Sequence, residues 1–98
     1  MTRDAILRKL RAHSAELKVQ GVLHAALFGS VARGDEQIDS DIDVLVDLDL
    51  TRVRTVYDYV GVRHVLEDLL GRPVDVVNRA TMNPRMKDRV EHDAIPAF

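Results

Sequence analysis

The sequence predicts an α/β fold of the α+β type, in which a small mixed β-sheet of about three strands is flanked by helices. Residues 41–48 alternate as a strand with one apolar face does: one face carries Ile42, Val44, Val46 and Leu48, and the other carries Asp41, Asp43, Leu45 and Asp47. Residues 22–28 form a short apolar run between two glycines, which is typical of a buried strand. Residues 3–19 and 52–70 repeat apolar positions at helical spacing, which predicts two amphipathic helices.

The two helices have recognisable ends. Thr2 is suited to be the N-cap of the first helix, and Gly21 stands just past its last apolar position. Gly71 follows the second helix, and Pro73 prevents that helix from continuing.

The helix predicted over 52–70 carries apolar residues on two nearly opposite sides. One stripe consists of Tyr59, Val62, Leu66, Leu69 and Leu70. The second stripe consists of Val53, Val56, Tyr57 and Val60. A helix with two apolar faces is buried on both or presents one to a partner, so the second stripe is either a further core face or a docking surface.

The remainder of the chain completes the order α-β-β-α-β-α. Residues 73–77 are a short apolar run and predict a third strand. Asn83-Pro84 is an N-cap followed by a proline at the first helical position, and it predicts a last helix to about Ala94. No linker or repeat interrupts the sequence, and we expect one domain over 1–98.

Length and composition exclude several classes of protein. The 98 residues are 46% hydrophobic and 31% charged, which is typical of a globular domain and not of a disordered chain. There is no cysteine, so disulfide frameworks and cysteine-type zinc sites are excluded. No apolar run approaches the ~18 residues of a membrane span, and no signal peptide is visible at the N-terminus. We therefore expect a cytoplasmic protein that does not contact membranes.

The net charge of −2 combines two unequal parts. Residues 35–49 contain seven acidic residues and no basic one, so this window carries −7 while the other residues sum to +5. A nucleic-acid-binding patch would be basic, and no direct contact with nucleic acid is expected. The acidic window is either a solvated loop or, in part, a cation site.

Two of these acids begin a predicted strand. The period of two places Asp41 and Asp43 on the same face, where their charges repel and favour a bound cation. Mg²⁺ prefers oxygen ligands of this kind together with substrate phosphates. An Asp-x-Asp pair on its own is also common at the exposed start of a strand.

Two further features complete the pattern. Gly29-Ser30 follows a strand, and a glycine there lets backbone N–H groups approach an anion, although many such pairs are only turns. Asp75 lies among valines in the last predicted strand, so its carboxylate either faces solvent or has a partner. A metal shared with Asp41 and Asp43 is one such partner.

The complete pattern is Gly29-Ser30, ten residues, Asp41-x-Asp43 and a third aspartate in a later strand. It resembles the nucleotidyltransferase superfamily with the DNA-polymerase-β-like palm, and within it the minimal nucleotidyltransferase (MNT) domain. Residues 28–48 and 66–77 carry the resemblance, which extends more loosely through the last helix.

The resemblance implies a role for each motif residue. Gly29 and Ser30 would hold the terminal phosphates of the nucleotide. Asp41 and Asp43 would bind two Mg²⁺ ions, and Asp75 would complete the metal site that activates the attacking hydroxyl. Arg33 would contact a phosphate or diphosphate; the alternative is an ion pair with the loop residues Asp35 or Glu36.

The resemblance also implies a function. MNT proteins of this size are similar to the antitoxin half of HEPN–MNT toxin–antitoxin pairs, in which AMP is transferred from ATP to a tyrosine of the HEPN toxin. This activity would make the chain a Mg²⁺-dependent protein adenylyltransferase with a HEPN toxin as its partner. Two alternatives remain: a non-catalytic antitoxin that occludes the toxin, and a nucleotidyltransferase subunit that acts on a small molecule or RNA.

Overall fold

A mixed sheet forms the centre of the structure, a computed structural model that describes residues 2–34 and 41–98. In this part of the chain the strands are β1 (Val22–Phe28), β2 (Ile42–Leu48), β3 (Val74–Asn78) and β4 (Ile95–Pro96), in the spatial order β3-β2-β1-β4. β1 pairs antiparallel with β2 and with β4, whereas β2 and β3 run parallel. The fold class predicted from the sequence is confirmed.

The sheet has one strand more than the three expected. β4 is only two residues long, which is too short to produce an alternating pattern in the sequence. Long-range contacts hold it in place: the Ala97 N–H donates to the Ala25 carbonyl at 2.8 Å, and Arg11 Nε donates to the Ala97 carbonyl at 2.9 Å.

The first predicted helix is divided into α1 (Arg3–Ala12) and α2 (Ser14–Val19). Thr2 is the N-cap of α1 and accepts from the Ala5 N–H, as predicted. The prediction of one continuous helix was wrong because His13 leaves the helical conformation, with φ −107° and ψ 15°. The His13 ring nitrogen Nδ1 lies 2.9 Å from the Lys9 carbonyl oxygen, a local contact that accompanies the break.

The long helix α4 (Val56–Leu70) begins four residues later than the apolar pattern indicated. The Thr55 hydroxyl accepts from the Asp58 N–H while the Asp58 carboxylate accepts from the Thr55 N–H, which is a capping box. The preceding residues form a turn in which the Asp49 carboxylate accepts from the Thr51 N–H at 3.0 Å. A side chain that satisfies the backbone in this way favours a turn over a further helical turn.

The main core lies between one face of the sheet and the helices α1, α2 and α4. Its fully buried large side chains include Ile6, Leu10, Leu17, Leu27, Ile42, Val44, Val46, Leu66 and Leu70. The apolar face predicted for β2 is confirmed, because Ile42, Val44 and Val46 are buried and Asp43 lies on the opposite side. Leu45, on the side of Asp43, is also buried, so the second face is covered in part.

The last helix, α5 (Pro84–Asp93), has the Asn83 N-cap and first-position proline that the sequence predicts. It contributes no buried residue to the core and contacts β1 and a short helix, α3 (Gly29–Arg33), which follows β1 directly. A 3₁₀ turn at Arg79–Thr81 connects β3 to α5.

The second apolar stripe of the long helix is exposed. Val56 and Tyr57 are 76% and 86% exposed and Val60 is 39% exposed, whereas Val53, which precedes the helix, is buried. The first alternative, a further core face, is therefore wrong for the three residues on α4 itself.

Across residues 2–34 and 41–98, none of the helices combines the length and apolar character needed to cross a bilayer.

Candidate active site

The sheet register brings the motif residues together at one edge of the central strands. In the antiparallel pair, Phe28 at the end of β1 is opposite Asp43 of β2. In the parallel pair, Asp43 is opposite Asp75 of β3. Since Gly29 follows Phe28 directly, the turn into α3, Asp43 and Asp75 occupy three neighbouring positions across the sheet.

Gly29 is required at this turn for two reasons. Its φ of +71° lies in the left-handed region, which other residues adopt only with strain. In addition, a Cβ atom at this position would lie 2.2 Å from Asp43 Oδ2, far inside van der Waals contact. The backbone and the Asp43 carboxylate therefore approach each other as closely as only a glycine allows.

The three aspartates act on one another electrostatically. The pKa of Asp43 is raised from its ordinary value by burial first and then by the negative charges of Asp75 and Asp41, while the Arg33 guanidinium opposes the shift. Asp41 and Asp75 are exposed and Asp43 is half-buried. A cation near Asp43 would relieve both the burial cost and the repulsion.

The motif implies a bound Mg²⁺ at these carboxylates. Among the residues that the structure describes, no three carboxylate or imidazole groups converge closely enough to hold one metal ion. Mg²⁺ does not require such a cage, because it commonly binds one or two carboxylates and takes its other ligands from water and substrate phosphates. The donor chemistry of Asp41, Asp43 and Asp75 and the raised pKa of Asp43 fit an ion that binds together with its nucleotide.

The phosphate-binding residues expected from the motif lie in α3. Phe28 is the N-cap of this helix and provides no side-chain hydrogen bond to its first turn, which begins with Gly29 and Ser30. Arg33 lies in the last turn of α3 and is exposed. Its positive charge opposes the rise in the pKa of Asp43. The alternative partners Asp35 and Glu36 lie outside the described residues.

Asp47 and Asp49, two acids of the window 35–49, have structural partners. Asp47 of β2 is 3.1 Å from Arg79 Nε, and Arg79 Nη1 is 3.2 Å from Glu91 Oε1 of α5. Arg79 therefore joins the sheet to the last helix. Asp49 accepts two hydrogen bonds from Thr51 and closes the turn after β2.

Sequence reasoning missed one residue next to the candidate site. The Tyr59 hydroxyl of α4 donates to the Val76 carbonyl of β3, the residue after Asp75. The pKa of Tyr59 is raised by burial and then by the negative charge of Asp75. The pattern identified Tyr59 only as an apolar-stripe residue, because the position of its hydroxyl depends on packing between α4 and β3.

Comparison with protein families supports the resemblance to nucleotidyltransferases. The model of a family described as "Nucleotidyltransferase domain" matches residues 7–96. The protein adenylyltransferase MntA of Thermococcus cleftensis is 31% identical over 96 residues, which cover 97% of this chain and 95% of that protein.

Two solved structures have the same fold. A structure described provisionally as a minimal nucleotidyltransferase superimposes with a TM-score of 0.82 at 34% identity, covering 98% of this chain and 96% of the other. A crystal structure of a toxin–antitoxin with AMP-PNP has a TM-score of 0.69 at 19% identity, covering all of this chain and 73% of the other. At that identity the second likeness concerns the fold alone.

Proposed function

The chain belongs to the nucleotidyltransferase domain family, and from this premise we propose that it is a Mg²⁺-dependent protein adenylyltransferase that acts as an antitoxin. It would transfer AMP from ATP to a tyrosine hydroxyl of a HEPN toxin in the cytoplasm. The observation that carries the proposal is the position of Asp43, which lies between the Gly29 turn and Asp75 and has a raised pKa.

The proposed reaction is an in-line displacement at the α-phosphorus of ATP. The acceptor oxygen forms a bond to that phosphorus, the bond to the bridging oxygen breaks, and diphosphate leaves with the electron pair. Such a transfer requires mainly positioning and neutralisation of charge. Bound Mg²⁺ would supply that neutralisation at the attacking and leaving oxygens.

The residues of this chain would bind the phosphates, hold the metal and accept the proton. Gly29 and Ser30 would hold the terminal phosphates through backbone N–H groups and the serine hydroxyl. Asp41, Asp43 and Asp75 would hold the metal, and a carboxylate or water beside them would accept the proton of the attacking hydroxyl. Arg33 would add a positive charge on the phosphate side.

The name of one relative and one surface support a protein as acceptor. The relative in Thermococcus cleftensis is named a protein adenylyltransferase. Val56, Tyr57 and Val60 form an exposed apolar surface of the kind that partners cover. The same surface also suits the second candidate function, a binding antitoxin that inhibits the toxin by occlusion.

The test mixes the protein with its cognate toxin, Mg²⁺ and ATP labelled at the α-phosphate. We expect label on the toxin with the wild type and none with Asp41→Asn/Asp43→Asn. A matched control, Asp68→Asn/Asp88→Asn, makes the same charge change at exposed positions of α4 and α5 and should transfer label normally. Because the pKa of Asp43 is raised in the fold, neutralising its side chain should not lower thermal stability.

Each result has a distinct meaning. Normal transfer by the Asp41→Asn/Asp43→Asn variant would contradict the site assignment. Full neutralisation of the toxin by that variant at equal expression, without transfer, would favour occlusion over catalysis. Intact mass spectrometry of the co-expressed toxin counts the AMP units added.

A further inference from the structure

A cleft of about 220 Å³ lies between α3 and α5, beside the Gly29 turn. Most of its lining is apolar, with side chains from Phe28, Met86 and Val90, while Arg33 and Arg89 supply its positive charges from the two helices. α5 thereby brings a second arginine to the side of the candidate site from which Arg33 also extends.

The charged groups of this cleft are two arginines and one acid. Arg33 and Arg89 contribute two positive charges and Asp93 one negative charge, so the lining is net positive. None of the ion pairs between described residues engages Arg89. Arg33 lines the cleft and also interacts electrostatically with the carboxylates, because its positive charge opposes the rise in the pKa of Asp43.

We propose that Arg89 is a nucleotide-binding residue and that the cleft between α3 and α5 receives the diphosphate portion of the nucleotide. This inference rests on the proposed function, since it assigns one part of ATP to a place beside Gly29. Guanidinium groups are suited to this role because their planar N–H donors match phosphate oxygens in pairs.

The balance of charges near the site favours such a group. A bound triphosphate of about −4 and three carboxylates together exceed the +4 of two Mg²⁺ ions by roughly three negative charges. Arg33 supplies one compensating charge and Arg89 a second. During transfer the bond from the α-phosphorus to the bridging oxygen breaks and its electron pair stays on the leaving diphosphate, so a guanidinium there would stabilise the leaving group.

Calorimetric titration of the whole protein in Mg²⁺ tests this assignment with three probes: the β,γ-imido analogue of ATP, inorganic diphosphate and AMP. Arg89→Gln should weaken binding of the analogue and of diphosphate about tenfold, the loss of one charge-assisted contact, and leave AMP unchanged. Arg89→Lys should recover part of that loss, because it keeps the charge but not the planar donors.

Lys87→Gln is the matched control, since it removes the same charge from the same helix but does not line the cleft. Equal affinities of the wild type and Arg89→Gln for the ATP analogue would overturn the inference while leaving the proposed function intact. A loss confined to AMP would also overturn it, because the cleft would then hold the nucleoside. A wild type that binds no nucleotide would contradict the proposed function itself.

Discussion

Substituting Gly29 by alanine separates the geometry of the site from the stability of the fold. The new Cβ would lie 2.2 Å from Asp43 Oδ2, whereas ordinary van der Waals contact begins at 3.4 Å, so the carboxylate must move by roughly 1.2 Å. The carboxylate is the far end of a side chain and can rotate away at little energetic cost. A displacement of this size at a reacting centre costs on the order of 100-fold in rate.

Gly71→Ala is the matched control for this change. Gly71 has φ +68°, nearly the same as Gly29, but among the described residues that are not its chain neighbours none places an atom within 4 Å of the position its Cβ would take. Both variants should lose about 1–2 kcal/mol from forcing alanine into the left-handed region. For a domain of this size, each kcal/mol lowers Tm by about 4–8 °C.

The assay measures transfer of labelled AMP and thermal unfolding on both variants. We expect similar decreases in Tm, with the hundredfold loss of transfer rate in Gly29→Ala alone. Wild-type transfer by Gly29→Ala would refute the reasoning, because the Asp43 carboxylate would then tolerate displacement. An equal loss in Gly71→Ala would mean that stability, and not site geometry, limits activity.

Two further predictions concern α4. Tyr59→Phe removes the hydrogen bond to the Val76 carbonyl and should lower stability by about 1 kcal/mol. It should also slow AMP transfer, because Val76 adjoins Asp75, whereas Tyr57→Phe, on an exposed side chain, should leave stability unchanged. Asp58→Asn should lower Tm at pH 7, because hydrogen bonds from the Arg54 and Thr55 N–H groups hold the pKa of the Asp58 carboxyl below 3.8. That stabilisation is present above pH 3.8 and is lost as the pH falls through the lowered pKa, so the wild-type and variant melting temperatures should converge in acid.

Sequence patterns predicted those parts of the fold that depend on interactions between residues close together in the chain. The alternation in β2 identified its buried face, and the Asn83-Pro84 pair located the start of α5. The start of α4 was misplaced because the Asp49 turn and the Thr55 capping box outweigh the apolar period of the preceding residues. β4 was missed because two residues carry no period of their own.

The candidate site was predictable in its motif and not in its surroundings. The spacing between Gly29-Ser30 and Asp41-x-Asp43 can be recognised in the sequence. The register of β2 with β1 and β3 explains why Gly29, Asp43 and Asp75 lie close together in the structure. Tyr59 and Arg89 approach the site from helices that are distant in sequence. Their positions depend on how α4 and α5 pack, which no local pattern encodes.

The register of β2 also makes assembly of the candidate site depend on correct folding. A slip of one residue would turn Asp43 towards the core and bring Val44 to the face of the site. Burying an unpaired carboxylate costs several kcal/mol, which is comparable to the whole stability of a small domain. A chain with the shifted register would therefore unfold and would not persist as a folded, inactive protein. The molecules that remain folded are thus also those in which the site is assembled.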